Sequence, residues 1–143
     1  MQFTSALLFF ASTFAVASAG TPASVRYDTT YDTSSQSTLT LACSDGANGL
    51  YTKGYETLGE LPSFPNVGAA AVITGWNSAQ CGTCFKLYYQ GKTVYITGVD
   101  VASGGTGFVL SRAAMNTLTG GLATQVGTVT ADYAQVASSF CGL

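Results

Sequence analysis

The chain has 143 residues, no histidine, five Lys plus Arg against seven Asp plus Glu, and a formal net charge of −2. A nucleic-acid binder needs a basic footprint to neutralise phosphates, and so little positive charge excludes one. It equally argues against anionic membrane surfaces and polyanionic substrates, and with 47% apolar residues suits neutral, hydroxyl-rich surroundings or simply a hardy extracellular surface.

The amino end carries an apolar core of Leu7, Leu8, Phe9, Phe10, Phe14 and Val16, and closes on Ala17-Ser18-Ala19, the small-residue pattern of signal-peptidase cleavage. The apolar run is too short, and too interrupted by Ser and Thr, to span a bilayer. Residues 1–19 therefore read as a secretory leader, although its start lacks Lys and Arg. Residues 20–143 read as one soluble domain, long enough to bury its own core. Export leads to an oxidising compartment, so the four cysteines, Cys43, Cys81, Cys84 and Cys141, read as two disulfides.

Along residues 20–143, short β-rich runs alternate with Gly, Asn, Asp and Ser. First comes a repeated pattern, Tyr27-Asp28-Thr29 and Tyr31-Asp32-Thr33. It is either an exposed aromatic and polar edge for glycan binding or an edge strand with solvated charges. Thr38 to Ala42 alternates polar and apolar like a half-buried strand. Asp45-Gly46, beside Cys43, reads as a tight turn ahead of a ligand contact. Ala69 to Ile73 is small and apolar, a further strand. Trp76 is the only tryptophan; its flat indole suits stacking on a pyranose ring, against the alternative of a core or disulfide cover. Asn77 offers a donor and an acceptor, or a turn.

Phe85 to Tyr89, Gln90-Gly91 and Lys92 to Thr97 read as a hairpin with Gly91 at positive φ. Asp100 follows that hairpin's second strand, where a carboxylate can cap a turn through backbone N–H groups. Ser111 to Leu118 is the one helical stretch, with Ser111 as cap and Gly120-Gly121 as stop. Within it Met115 should face inward and Asn116 should bond structurally. Val126 to Tyr133 alternates again. Many short strands with one or two short helices point to a β-barrel, whose type periodicity alone does not choose.

Cys81-Gly82-Thr83-Cys84 has rival readings. A redox pair would open a helix inside a βαβ unit, but a strand-like run follows. A zinc site would need a second such pair or histidines. A Cys81–Cys84 disulfide would strain its small ring, which leaves two pairings of the four cysteines. One of them, Cys43–Cys81 with Cys84–Cys141, keeps the two loops separate along the chain.

Three blocks in order resemble the cerato-platanin family of small secreted fungal proteins. They are Cys43 to Leu50, Gly75-Trp76-Asn77-Ser78 with Cys81-Gly82-Thr83-Cys84, and Ala114-Met115-Asn116 with Leu118 to Gly121. The Cys-Gly-Leu ending agrees, and the likeness runs from about Val25 to Leu143. Resemblance implies a mainly β fold with short helices, a six-stranded double-psi β-barrel of the expansin-like kind, and the Cys43–Cys81 and Cys84–Cys141 pairing. It implies an extracellular or fungal wall location, binding of chitin or N-acetylglucosamine oligomers, loosening of polysaccharide without cutting, and perception by plants, hence a plant surface receptor. It also places Asp100 as a contact to sugar hydroxyls. In the barrel's hydrolytic relatives a second acid follows in a turn. Here Gly107 to Ser111 carries no carboxylate, with Val109 near the acid's place, where many family members have Asn. A glycosidase needs two carboxylates, so no catalysis is expected.

The expected carbohydrate-binding residues are thus Asp100, Asn77, Tyr27 and Trp76, with no catalytic residue, cofactor, metal, nucleic acid or membrane. A monomer with some self-association is expected. The alternative is a surface-active coat protein of the fungal wall, favoured by the apolar, weakly charged composition.

Overall fold

The computed structural model of the protein describes residues 20–143; the expected leader, residues 1–19, lies outside them. The hairpin forms as β3 (Cys84–Tyr89) and β4 (Lys92–Val101), antiparallel, with Phe85 opposite Ile96 and Leu87 opposite Val94. Period-two alternation decides its faces: Phe85 and Leu87 are buried, while Lys86 and Tyr88 are exposed. At the turn both central residues take positive φ, Gln90 at 45° and Gly91 at 80°, a geometry whose twist matches the strands.

Four further strands complete the sheet: β1 (Thr21–Tyr27), β2 (Val67–Ala70), β5 (Phe108–Leu110) and β6 (Val129–Val136). They close in the order β1-β5-β2-β4-β3-β6. β1/β5 and β2/β4 are parallel and the other pairs antiparallel, giving the closed six-stranded double-psi barrel that the resemblance implies. Closure leaves no sheet edge. The edge-strand reading of Tyr27 is therefore corrected, since β1 lies between β5 and β6.

Inside the barrel, Phe85 and Phe108 meet edge to face at 5.4 Å, and Tyr133 closes on Phe108 at 4.9 Å. Val25, Val67, Leu87, Ile96 and Leu110 fill the space around them. Gly68 faces Gly98 across β2 and β4 for lack of room. A β-carbon on Gly98 would lie 2.9 Å from Ile73 Cδ1, and one on Gly68 would lie 2.6 Å from the Val109 carbonyl oxygen.

The helix forms as α1 (Arg112–Thr119), with Ser111 Oγ accepting from the Ala114 N–H at 3.0 Å and Gly120 left-handed at the end. Met115 is buried, and Asn116 Oδ1 accepts from the Ala123 N–H, which starts the short helix α2 (Ala123–Val126). Several expected strands differ from those observed. Thr38 to Ala42 is instead a 3-10 turn at Thr38–Thr40, because Ser37 Oγ caps the Leu39 N–H and the buried Thr38 hydroxyl donates to the Tyr55 carbonyl. Their local hydrogen bonds outweigh the alternating pattern. The Ala69 to Ile73 strand ends early at Ala70, and Val126 joins α2 before β6 begins. Gly107 to Ser111, expected as a turn, contains β5.

Both disulfides form as the resemblance implies. Cys43–Cys81 and Cys84–Cys141 join residues 38 and 57 positions apart.

Candidate functional site

Asp100 lies near the end of β4, where the β2/β4 register shifts between Gly68 and Ala69 and sets Ala69 opposite it. Val109 lies opposite Ala69 on β5, and Arg26 opposite Val109 on β1. One row thus crosses four strands as Asp100, Ala69, Val109 and Arg26. Val109 is buried, so the row's centre is apolar.

Asp100 is held firmly. Its Oδ1 accepts from the Ala42 and Val101 N–H groups, each at 2.9 Å, and its Oδ2 accepts from the Tyr31 hydroxyl at 2.9 Å. A carboxylate offers about four lone-pair positions, so one on Oδ2 is left for a ligand hydroxyl. Tyr31 itself is buried, at the end of a 3-10 turn, Thr29–Asp32, capped by Asp28. Burial first, and then the negative charge of Asp100, push its phenol well above the ordinary range. Tyr31 therefore remains a donor to Asp100.

Trp76 contrasts with this. Its side chain is 62% exposed, neither core nor disulfide cover. The indole Nε1–H donates to Asp45 Oδ1 at 2.7 Å. That bond, against desolvation and with smaller help from backbone and the Ser44 hydroxyl, holds the Asp45 carboxyl below its ordinary value. Asp45-Gly46 is a turn, as expected, but one that also carries the indole. Gly46 has φ 88°, and a β-carbon there would lie 2.8 Å from Asn77 Oδ1 and 3.0 Å from Trp76 Cζ2. Only glycine lets the ring and amide pack that closely.

Asn77 is left-handed, with φ 58°. Its Oδ1 accepts from the Asn48 N–H at 2.8 Å, and its carbonyl accepts from Asn48 Nδ2 at 3.1 Å. The turn reading of Asn77 is thus what the structure shows.

Residues 42–48 connect the two centres. Ala42 binds Asp100, Cys43 donates to the Val99 carbonyl and bonds Cys81, and Asp45 and Asn48 hold Trp76 and Asn77. Asp100, Trp76 and Asn77 are therefore each tied to the same segment, residues 42–48. Tyr27 is placed differently: it ends β1 opposite Leu110 and packs half-buried on the core. The Tyr-Asp repeat divides likewise, as Asp32 accepts from the Arg112 and Ala113 N–H groups at the start of α1. Tyr31, weighed with Tyr27 as an exposed edge, is instead buried against Asp100, and Asn48, which sequence reasoning did not single out, holds Asn77. Asp45 left a signal, as an Asp-Gly two residues past a cysteine, but was read as a turn. Among the described residues, no group of three or more His, Cys, Asp or Glu is arranged to hold a metal ion.

The sequence profile of the Cerato-platanin family matches residues 23–143. The chain belongs to the cerato-platanin family. The heat-stable 19 kDa antigen of Coccidioides posadasii is 40% identical to it, over all of this chain and 99% of the antigen. The crystal structure of cerato-platanin 3 from M. perniciosa superposes with a TM-score of 0.82 at 45% identity, over 86% of this chain and all of that one. The solution structure of the fungal elicitor cerato-platanin gives a TM-score of 0.73 at 42% identity, over 82% of this chain and 95% of that one. This cerato-platanin thus shares its family with proteins described as an antigen and an elicitor, and its disulfides fit an extracellular setting.

Proposed function

We propose that this cerato-platanin is a secreted, non-catalytic carbohydrate-binding protein of the fungal wall. Its ligand is a neutral polysaccharide presenting N-acetylglucosamine units, as chitin does. One observation carries the reading: an indole 62% exposed yet fixed by a 2.7 Å hydrogen bond to Asp45. A flat, rigid, solvent-facing ring loses little freedom when a pyranose face stacks on it. Asn77 Nδ2 and the remaining lone pair of Asp100, both groups tied to residues 42–48, supply polar partners. The low charge of the chain suits a neutral ligand.

Hydrolysis is not part of the proposal. Three protein donors already engage Asp100, and the adjoining row offers Val109 where a second acid would act. Binding without cleavage is what loosening a polysaccharide network requires, and perception by a plant receptor would use the same exported protein, residues 20–143. Exposed Leu39, Leu122 and Phe140 favour a second reading, a surface-active coat protein.

Titration with chitin oligomers, followed by NMR, tests the first reading. Each contact contributes about 1 kcal/mol net, so affinity on the order of micromolar to millimolar is expected, improving with length and hardly changing with salt. Chemical-shift changes at Trp76, Asn77 and Asp100 support it. Their absence at millimolar oligomer would reject it, and concentration-dependent film formation would then favour the coat.

A further inference from the structure

We propose that Tyr95 and Phe140 form a second saccharide subsite on the flank of the barrel, separate from Trp76. Phe140 is 57% exposed within the last 3-10 turn, Ser138–Cys141. It does not project freely, because its ring lies flat on Tyr95 with centroids 5.1 Å apart and planes 13° off parallel. Beside this pair is an open depression of about 500 Å³ bounded by Pro62, Phe64, Asn66, Thr93 and Thr117.

The lining selects the ligand class. It carries no charged side chain, which leaves an ionic peptide or an anion without a counterion. Ser63 Oγ is hydrogen-bonded to Thr97 Oγ1, and Thr117 Oγ1 donates to the Ala113 carbonyl. Asn66, Thr93 and the Tyr95 hydroxyl are then the polar side chains freest to meet a ligand. An aromatic face bordered by an amide and hydroxyls matches a neutral sugar, with its apolar ring face and hydroxyl rim.

The geometry is also preset. Cys141, next to Phe140, is bonded to Cys84 at the start of β3, so the aromatic pair needs little ordering on binding. Tyr95 and Asp100 lie on one strand, five residues and roughly 17 Å apart at the usual rise. A short oligomer on one centre therefore leaves the other open. The sugar identity rests on the function proposed above; the place of the subsite does not.

The test uses the mature protein with both disulfides intact, titrated by NMR with the N-acetylglucosamine trimer. Wild type, Trp76→Ala, Phe140→Ala and Thr93→Val are compared. Two separate sets of shifts are expected, one around Trp76 and one around Tyr95 and Phe140. The second set should persist in Trp76→Ala and weaken about fivefold in Phe140→Ala. Thr93→Val, which keeps side-chain shape, should weaken it about twofold if Phe140→Ala disturbs folding. Shifts confined to Trp76 overturn the second subsite and leave the proposed function standing. Shifts confined to Tyr95 and Phe140 support the subsite and overturn the Trp76 centre. No shifts overturn both. A dimer that sediments in wild type and is lost in Phe140→Ala, with no sugar shifts there, makes the face a contact between two copies and rejects the subsite.

Discussion

Asp100 and Trp76 are each hydrogen-bonded to residues 42–48, yet they are built on opposite terms. The carboxylate at the end of β4 is surrounded by donors from Ala42, Val101 and Tyr31. The indole has one polar tether, to Asp45, and otherwise looks out to solvent. A group whose bonding capacity is mostly spent inside the protein contributes chiefly to stability, whereas on the proposed function an exposed, tethered ring contributes chiefly to binding. Substitutions at the two positions should therefore separate these properties.

The largest effect should come from cutting the bond between the two centres. Cys43–Cys81 joins the loop that serves Asp100 to the segment that carries Trp76, closing 38 residues. In the chain-entropy model such a loop is worth about 4 kcal/mol. The double substitution Cys43→Ala with Cys81→Ala should lower the melting temperature by about 15 °C. Trp76 and Asp100 resonances should both broaden or move. A melting temperature unchanged by reductant would mean that the barrel alone fixes the loop.

Next comes Asp100→Ala. It strips the acceptor from the Ala42 N–H and from the buried Tyr31 hydroxyl, and each orphaned donor costs about 1–3 kcal/mol. Denaturant unfolding should show a loss of about 2–4 kcal/mol, with Tyr31→Phe costing about 1 kcal/mol because it removes one donor and leaves the carboxylate its other bonds. Equal stability of Asp100→Ala and wild type would show that this carboxylate is free for ligand.

That structural load on Asp100 was only half legible in the sequence. Val99-Asp100 at the end of a strand announces a cap, but Tyr31 and Ala42 reach it from 69 and 58 positions away, through contacts that no local pattern encodes. The Phe85 to Thr97 hairpin, the Ser111 cap and the Gly120 stop were legible because alternation, capping and turn chemistry act within a few residues. Thr38 to Ala42 misled for the same reason in reverse: its alternation is real, but Ser37 and the Tyr55 carbonyl hold it in a turn. Exposure of Trp76 was not legible at all. Its environment depends on a turn at Asp45-Gly46 brought close by the fold.

Trp76→Ala should reverse the pattern seen at Asp100. Little buried surface is lost, so stability should stay within about 0.5 kcal/mol of wild type. Oligomer affinity should fall roughly tenfold, since a stacked aromatic is the main apolar contact to a sugar. Isothermal titration beside a thermal melt measures both. A variant that loses stability and keeps affinity would exchange the roles of the two centres.

The smallest effect, and the most local, is a pH titration of the tether itself. Trp76 is the only tryptophan, so intrinsic fluorescence reports this one ring. Its bond to Asp45 holds that carboxyl below the ordinary value of 3.8. A depressed folded value means that the stabilising bond is fully present above the ordinary carboxylate range. It is lost as pH falls through the lowered value, because a protonated carboxyl accepts more weakly. Fluorescence should therefore stay flat from neutral pH down into the ordinary carboxylate range and change with a midpoint below 3.8. Asp45→Asn, which keeps an oxygen acceptor but cannot titrate, should abolish the step. Sugar affinity should decline over the same interval, as the ring gains freedom that binding must then remove. A midpoint at or above 3.8, or a step that survives in Asp45→Asn, would show that the indole is untethered in solution, and exposure alone would then distinguish Trp76 from Asp100.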